Sequence, residues 1–393
     1  MFIIQLKYSR QTILTFFMIG TFAIGMTEYV VTGLLTQFAD DFQVPVSTTG
    51  LLLSAYAIGV AIFGPLLRVL TIRFSPKPLL IAMMILFIFS NILAAMAPTF
   101  NIMILSRLCS AIMHAPFFGL CMSMAMNISP YHKRSAAIAA VNGGLTIAVM
   151  LGVPFGSFIG GIFDWRYVFW FIAGVGIISL IGLIIVTPNI KPTDIPKLKN
   201  ELQIFKNKSV MLIIAIIVFG FSGVFTAYTF LEPMLRDYAG FDVTGITVSL
   251  LFFGVGAVFG NFASGRIVPN QLTEKLMFVL IGLALVLALF TTLIQFSILA
   301  FIMTFLFGAG TFGTTPILNA KIIIGAREAP ALSGTIAASV FNLANAIGAT
   351  LGTGLLNAGV SFTFITLVAS GMILFGLLLT YITHKVEDKT LFE

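Results

Sequence analysis

The chain of 393 residues is 59% hydrophobic and only 9% charged, with a mean hydropathy of +1.09. An ordinary soluble domain carries about 25% charged residues, so this chain cannot cover itself with a water-compatible surface, and the composition fits a polytopic membrane protein embedded in a lipid bilayer. Its net charge of +7 is dispersed among loops instead of clustering on one face or helix, which argues against a nucleic-acid partner.

Apolar runs near 20 residues predict twelve membrane-spanning helices, at 12–36, 47–67, 78–97, 100–125, 136–161, 167–187, 210–234, 244–265, 276–294, 297–319, 332–356 and 361–383. The first run follows Lys7 and Arg10, but it is too long for a signal-peptide core and no small-residue cleavage site follows it, so it is read as a retained helix. Of the 21 basic residues, eighteen fall at one end of the predicted bundle, Arg166 and Arg236 at the other, and Arg107 inside a span. The positive-inside rule then places both termini in the cytoplasm and requires an even number of spans. Forty phenylalanines and many isoleucines suit a lipid-facing exterior.

The longest polar stretch, Pro188 to Ser209, divides six spans from six. It separates an N-terminal bundle (1–187) from a C-terminal one (210–393), with 188–209 as a cytoplasmic linker. An internal repeat supports the division. Ala61-Ile-Phe-Gly64 is answered by Ala257-Val-Phe-Gly260, and Gly152 and Gly156 by Gly348 and Gly352, each offset by 196 residues. A weaker echo relates Asn101-Ile-Met103 and Pro116 to Phe301-Ile-Met303 and Pro316. Two parallel six-helix repeats with a site between them near the midplane is a transporter plan.

Glu28 is the only carboxylate in the first span. An ionisable group at that depth is costly and persists where it lines a cavity or meets a partner. Arg107 in the fourth span lies at a similar depth, roughly 11–12 Å below the boundary, so an ion pair with Glu28 would reduce the desolvation cost of both; the alternative is that Arg107 snorkels outward and Glu28 bonds to backbone. His114 lies two turns further on nearly the same helix face, where it could bond a ligand hydroxyl or relay a proton, and packing is the alternative reading.

Tyr228 and Glu232 share a face at the end of the seventh span. Pro233 after the carboxylate would allow a bend there, although a carboxylate so near the headgroups could simply be solvated. Gly152, Pro154 and Gly156 crowd the fifth span, for close helix packing or for sliding contacts. Tyr56, Asn142, Asn319, Asn342 and Asn345 are further polar groups in the spans, and in hydrocarbon they need partners, which a polar path would supply. Cys109 and Cys121, roughly 18 Å apart on one helix, are too distant for a disulfide. The sequence has no phosphate-binding glycine loop, metal-spaced Cys/His cluster or Ser–His–Asp set, so neither enzymatic activity, a cofactor nor a metal is expected. Any driving force must come from an ion gradient or from the substrate's own gradient.

Met26-Thr-Glu-Tyr-Val-Val-Thr-Gly-Leu-Leu35, Ser54-Ala-Tyr-Ala-Ile-Gly59, Arg107 through His114-Ala-Pro-Phe-Phe-Gly119, Gly152-Val-Pro-Phe-Gly156 and Thr226-Ala-Tyr-Thr-Phe-Leu-Glu-Pro233 together resemble bacterial sugar-efflux and arabinose-efflux transporters. These belong to the twelve-span drug:proton antiporter branch of the major facilitator superfamily. The resemblance implies an all-α membrane protein with two pseudo-symmetric six-helix bundles in the cell membrane, exchanging protons inward for a small molecule outward. It also implies that Glu28 and His114 are polar groups of the central cavity. The loop after the second span departs from the superfamily pattern, with Ile72 and Ser75 in place of an acidic residue and a glycine, while Arg73 and Lys77 remain as gating candidates.

The expectation is a monomeric proton-coupled exporter of a sugar, drug or related metabolite. Glu28, Arg107 and His114 would couple protons. Glu28, His114, Tyr56, Asn142, Tyr228, Glu232, Asn319, Asn342 and Asn345 would meet substrate. The alternative is a uniporter or importer of the same fold, with Glu28 serving only as a substrate ligand.

Overall fold

A computed structural model describes residues 7–71, 73–130, 133–189, 207–325 and 330–390. Among these are twelve helices long and apolar enough to cross a membrane: α1 (Arg10–Gly33), α2 (Val46–Thr71), α3 (Pro76–Ala95), α4 (Phe100–Asn127), α5 (Ala136–Ile162), α6 (Arg166–Val186), α7 (Lys208–Asp237), α8 (Val243–Ser264), α9 (Pro269–Leu293), α10 (Ser297–Gly325), α11 (Thr335–Asn357) and α12 (Phe362–Lys385). Most of the expected linker (190–206) and the loop position Ile72 lie outside the described residues.

Local chemistry starts the helices where the sequence places them. The side chains of Ser9, Thr99, Asn207 and Asp242 accept backbone N–H groups of the first turns of α1, α4, α7 and α8, satisfying donors with no partner within the helix. Pro76 occupies the first turn of α3, where a missing N–H costs nothing. Large apolar side chains point outward all round the bundle, Phe259, Phe262, Phe278 and Ile298 among them, each more than 60% exposed. Such a surface is stable only against lipid.

Packing repeats with a period of six helices. In the first half α1 packs on α5 and α6, α2 on α4, and α3 on α4 and α6; in the second, α7 packs on α11 and α12, α8 on α10, and α9 on α10 and α12. The halves meet through α2 with α11 and α5 with α8, themselves a symmetric pair of contacts. The sequence offset survives in the contacts. A Cβ on Gly152 would lie 2.6 Å from Met26 and one on Gly156 2.0 Å from Val30, while Gly348 and Gly352 face Ser222 and Thr226 at 2.1 and 3.0 Å. Met26 and Ser222, and Val30 and Thr226, are again 196 residues apart. The glycines therefore let α5 and α11 seat on the first helix of their own half, the close packing that small residues permit in lipid. Immediately before Pro154 the helix widens into a π turn at Ala148–Gly152, which absorbs the hydrogen bond that proline cannot make.

The end of the bundle opposite the termini is closed across the halves. There the Ser47 hydroxyl donates to Asn357 Oδ1 at 2.6 Å, and Gly161 approaches Val243.

Candidate functional site

Glu28 ends the regular part of α1, just before the helix tightens into a 3₁₀ turn at Val30–Gly33. It is 9% exposed, and what it meets is His114 of α4, with Oε2 3.8 Å from Nε2. The other ring nitrogen, Nδ1, lies 2.8 Å from the Tyr56 hydroxyl of α2. Stacking on Phe118, with ring centroids 5.1 Å apart, holds the imidazole in this orientation. When Tyr56 donates to Nδ1, a neutral imidazole keeps its own proton on Nε2, the nitrogen that faces the carboxylate. Three helices of the first half thus converge on a chain of carboxylate, imidazole and phenol.

Glu28 and Arg107, placed at matching depth by the sequence, do not form an ion pair. Arg107 is 1% exposed, and its Nη1 donates to the carbonyl of Thr27 at 2.7 Å, one residue from Glu28, while the guanidinium lies 4.3 Å over the Tyr56 ring. Backbone carbonyl and aromatic face occupy the cation, and its Nε and Nη2 have no hydrogen-bond partner among the described residues. Thr27 is anchored in turn: its hydroxyl donates to Asn91 Oδ1 at 2.7 Å, and the Asn91 amide donates to the Phe87 carbonyl. Asn91, buried on α3, was not among the sequence candidates. A span asparagine is the same signal that flagged Asn342 and Asn345.

Those two asparagines of α11 face this cluster from the other half. With Glu28, Leu53, Tyr56, Ala57 and Phe225 they line a cavity of about 10 Å³, room for about one water molecule. The Oδ1 atoms of Asn342 and Asn345 have no protein donor, and the Asn342 amide is committed to the Ala338 carbonyl, which fixes its orientation. The wall is thus mostly apolar, with an acidic group on one side and carboxamide acceptors on the other. Sites for drug-sized ligands span about 300–1,000 Å³, so this state is too tight for such a ligand and the halves must part to admit one.

Other candidates lie elsewhere. Tyr228 is not in the cavity wall; it stacks on Phe253 at 4.6 Å and meets Tyr29 edge-on at 6.3 Å, in an aromatic cluster at the junction of the halves. Asn142 is exposed on α5 and Asn319 half-buried on α10, and neither lines the cavity. Glu232 is neither solvated nor in the cavity. It is fully buried near the closed end, and α7 breaks at Thr229–Phe230 and restarts at Leu231, so that Pro233 falls in a first turn where its missing N–H is harmless. Arg73 is exposed, whereas Lys77 donates to the Ile184 carbonyl at 2.7 Å in the last turn of α6, a contact within one half.

A mostly apolar pocket with a few polar groups, at the seam of two matched six-helix halves, is the arrangement of a carrier that moves its substrate between them. The Major Facilitator Superfamily profile matches residues 17–352, and the chain belongs to that superfamily. It is 44% identical over 376 residues to the uncharacterized MFS-type transporter YfhI of Bacillus subtilis (strain 168), covering 96% of this chain and 95% of that one. It is 32% identical to the inner membrane transport protein YdhP of Escherichia coli (strain K12), over 95% and 96% of the two chains. A "Probable sugar efflux transporter" of Helicobacter pylori (strain J99 / ATCC 700824) is 28% identical, over 90% and 91%. The crystal structure of the human organic anion transporter MFSD10 (TETRAN) superposes with a TM-score of 0.69 over 94% of this chain and 98% of that one at 14% identity, a likeness of fold. The chain is therefore a multi-pass membrane transporter and not an enzyme, of a superfamily that binds small molecules within the membrane.

Proposed function

We propose that this transporter exports a small molecule from the cytoplasm in exchange for protons, with Glu28 as the proton carrier. The observation that carries the reading is the placement of Glu28: a carboxylate buried in the cavity wall between the halves, with His114 beside it and a buried cation one residue along the backbone. A carboxylate there is stabilised by proton uptake when no counter-charge reaches it, and by Arg107 and polar ligand contacts when it is ionised. Substrate and proton thus compete for one group, which is the minimal requirement of an antiporter. His114, 3.8 Å from the carboxylate and hydrogen-bonded to Tyr56, would relay the proton, and Asn342 and Asn345 would accept donors of the substrate.

The distribution of basic residues supports cytoplasmic termini, and the reading takes the protein to act in the cell membrane as a monomer. The bundles 1–187 and 210–393 would rock about the cavity. The relative described as a sugar efflux transporter supports outward movement of a sugar, drug or related metabolite.

The test is transport into inside-out vesicles loaded by an imposed proton gradient. Uncoupler should collapse accumulation, and Glu28→Gln should reduce it to that of vesicles lacking the protein while leaving the protein folded. Uncoupler-insensitive transport would instead favour the uniport reading, in which Glu28, as part of the cavity wall, serves only as a ligand.

A further inference from the structure

Glu232 of α7 is fully buried, yet its bonds reach into the opposite half. Oε2 accepts from the Thr36 hydroxyl at 2.7 Å and, at 3.4 Å, from the Thr36 backbone N–H, while Oε1 accepts from Arg236 Nε and Nη2 at 2.9 and 2.7 Å. Thr36 lies in the first turn of the eight-residue helix Leu35–Phe42 that follows α1. That helix begins after Leu34, whose side chain makes no cap hydrogen bond. The four N–H groups at a helix start need acceptors, and a carboxylate there is favoured by the helix dipole as well. The cap is therefore supplied in trans, by the other half of the transporter.

Position 36 and position 232 differ by 196, the offset that relates the two repeats. The same holds for Tyr29 and Phe225, whose rings meet at 6.4 Å. Both pairs thus sit on the pseudo-twofold axis between the halves, about two helical turns apart along α1 and α7. The lower pair adjoins the cavity, since Phe225 lines it and Tyr29 follows Glu28. The upper pair breaks the symmetry chemically, with a donor on one half and an acceptor on the other.

We infer that the Thr36–Glu232 contact is the latch that holds the end opposite the termini closed, and that it must break each time this end opens. Arg236 shares the helix of Glu232 and travels with it, so the carboxylate keeps one partner after release while Leu35–Phe42 loses its cap. The cavity lies between α1 and α7, and the latch joins α7 to the short helix that directly follows α1, so a ligand that moves α1 against α7 strains the latch.

The experiment is a distance measurement by double electron–electron resonance on the full-length protein in nanodiscs. Spin labels are placed at the exposed positions Asp40→Cys and Thr244→Cys, with Cys109→Ala and Cys121→Ala in the background. The parent should show a dominant short distance. Glu232→Ala should raise the ratio of separated to closed molecules about tenfold, as expected for losing a charge-assisted bond. Thr36→Val should shift it the same way by less, and Thr36→Ser, which keeps the hydroxyl, should leave it unchanged. An unaltered distribution in both Glu232→Ala and Thr36→Val overturns the latch. So does separation in Glu232→Ala without any in Thr36→Val, because the contact across the halves would then be idle.

Discussion

The two halves share a helix plan but not a chemistry. Glu28, Tyr56, Arg107 and His114 all belong to the first half. By the offset of 196, the counterparts of Glu28 and Tyr56 are Val224 and Phe252; by the offset of 200 that relates Pro116 to Pro316, those of Arg107 and His114 are Phe307 and Thr314. Where the first half holds a buried cation over an aromatic ring, the second packs Phe253 edge-on against Phe307 at 5.4 Å. The second half contributes neutral carboxamides and Phe225 to the cavity instead. Duplication has preserved the packing that builds the carrier, and at the cavity the ionisable groups come from one copy, while the buried Glu232 of the other lies away from it. A single charged face is economical in lipid, since every buried ion needs its own compensation.

Substitutions can break or sharpen this contrast, the largest first. Arg107→Leu removes a buried cation, leaves the Thr27 carbonyl without its donor and should abolish coupled transport, with a stability loss of about 1–3 kcal/mol visible as a lower Tm. Phe307→Leu, at its counterpart, should cost about 1 kcal/mol and leave coupling intact. Transport assays beside thermal melts check both. Exchanging charges, Glu28→Arg with Arg107→Glu, should recover no more transport than either single change, because the two groups do not touch; substantial recovery would restore the direct ion pair. Tyr56→Phe strips His114 Nδ1 of its partner and should slow transport severalfold while costing about 1 kcal/mol. The smallest effect belongs to Gly282→Ala on α9, where a new Cβ meets nothing within 4 Å. It should be neutral or stabilise by up to about 1 kcal/mol in the same melts.

The helices were legible because lipid imposes length and apolarity on each span, and most observed bounds fall within a few residues of the expected ones, the exceptions being α9, which starts at Pro269 against 276, and α10, which runs to Gly325 against 319. The first span is Arg10–Gly33 against 12–36, and the seventh Lys208–Asp237 against 210–234. The repeat was legible too, since close backbone approach demands small residues and leaves Gly152 and Gly348 in register. Depth was readable for Glu28 and Arg107, but rotation was not. Which way a side chain turns about its helix is fixed by packing, and here the Thr27 carbonyl and the Tyr56 ring claim the guanidinium while His114 takes the carboxylate's side. Glu232 was misjudged for a related reason. Its nearness to the boundary suggested water, and only the tertiary arrangement brings Thr36 over it. Asn91 supports the site through Thr27 from a helix that no motif marked.

The π turn of α5 meets α8 almost backbone to backbone. A Cβ at Gly254 would lie 2.5 Å from the Met150 Cα and 3.0 Å from the carbonyl oxygens of residues 149 and 150. Both residues are near the middle of their helices, so in the rocking proposed above the contact would serve as a fulcrum with lever arms of similar length toward either face of the membrane. Rolling about such a point opens one mouth as it shuts the other, and a single methyl group wedged there would jam the see-saw at its pivot.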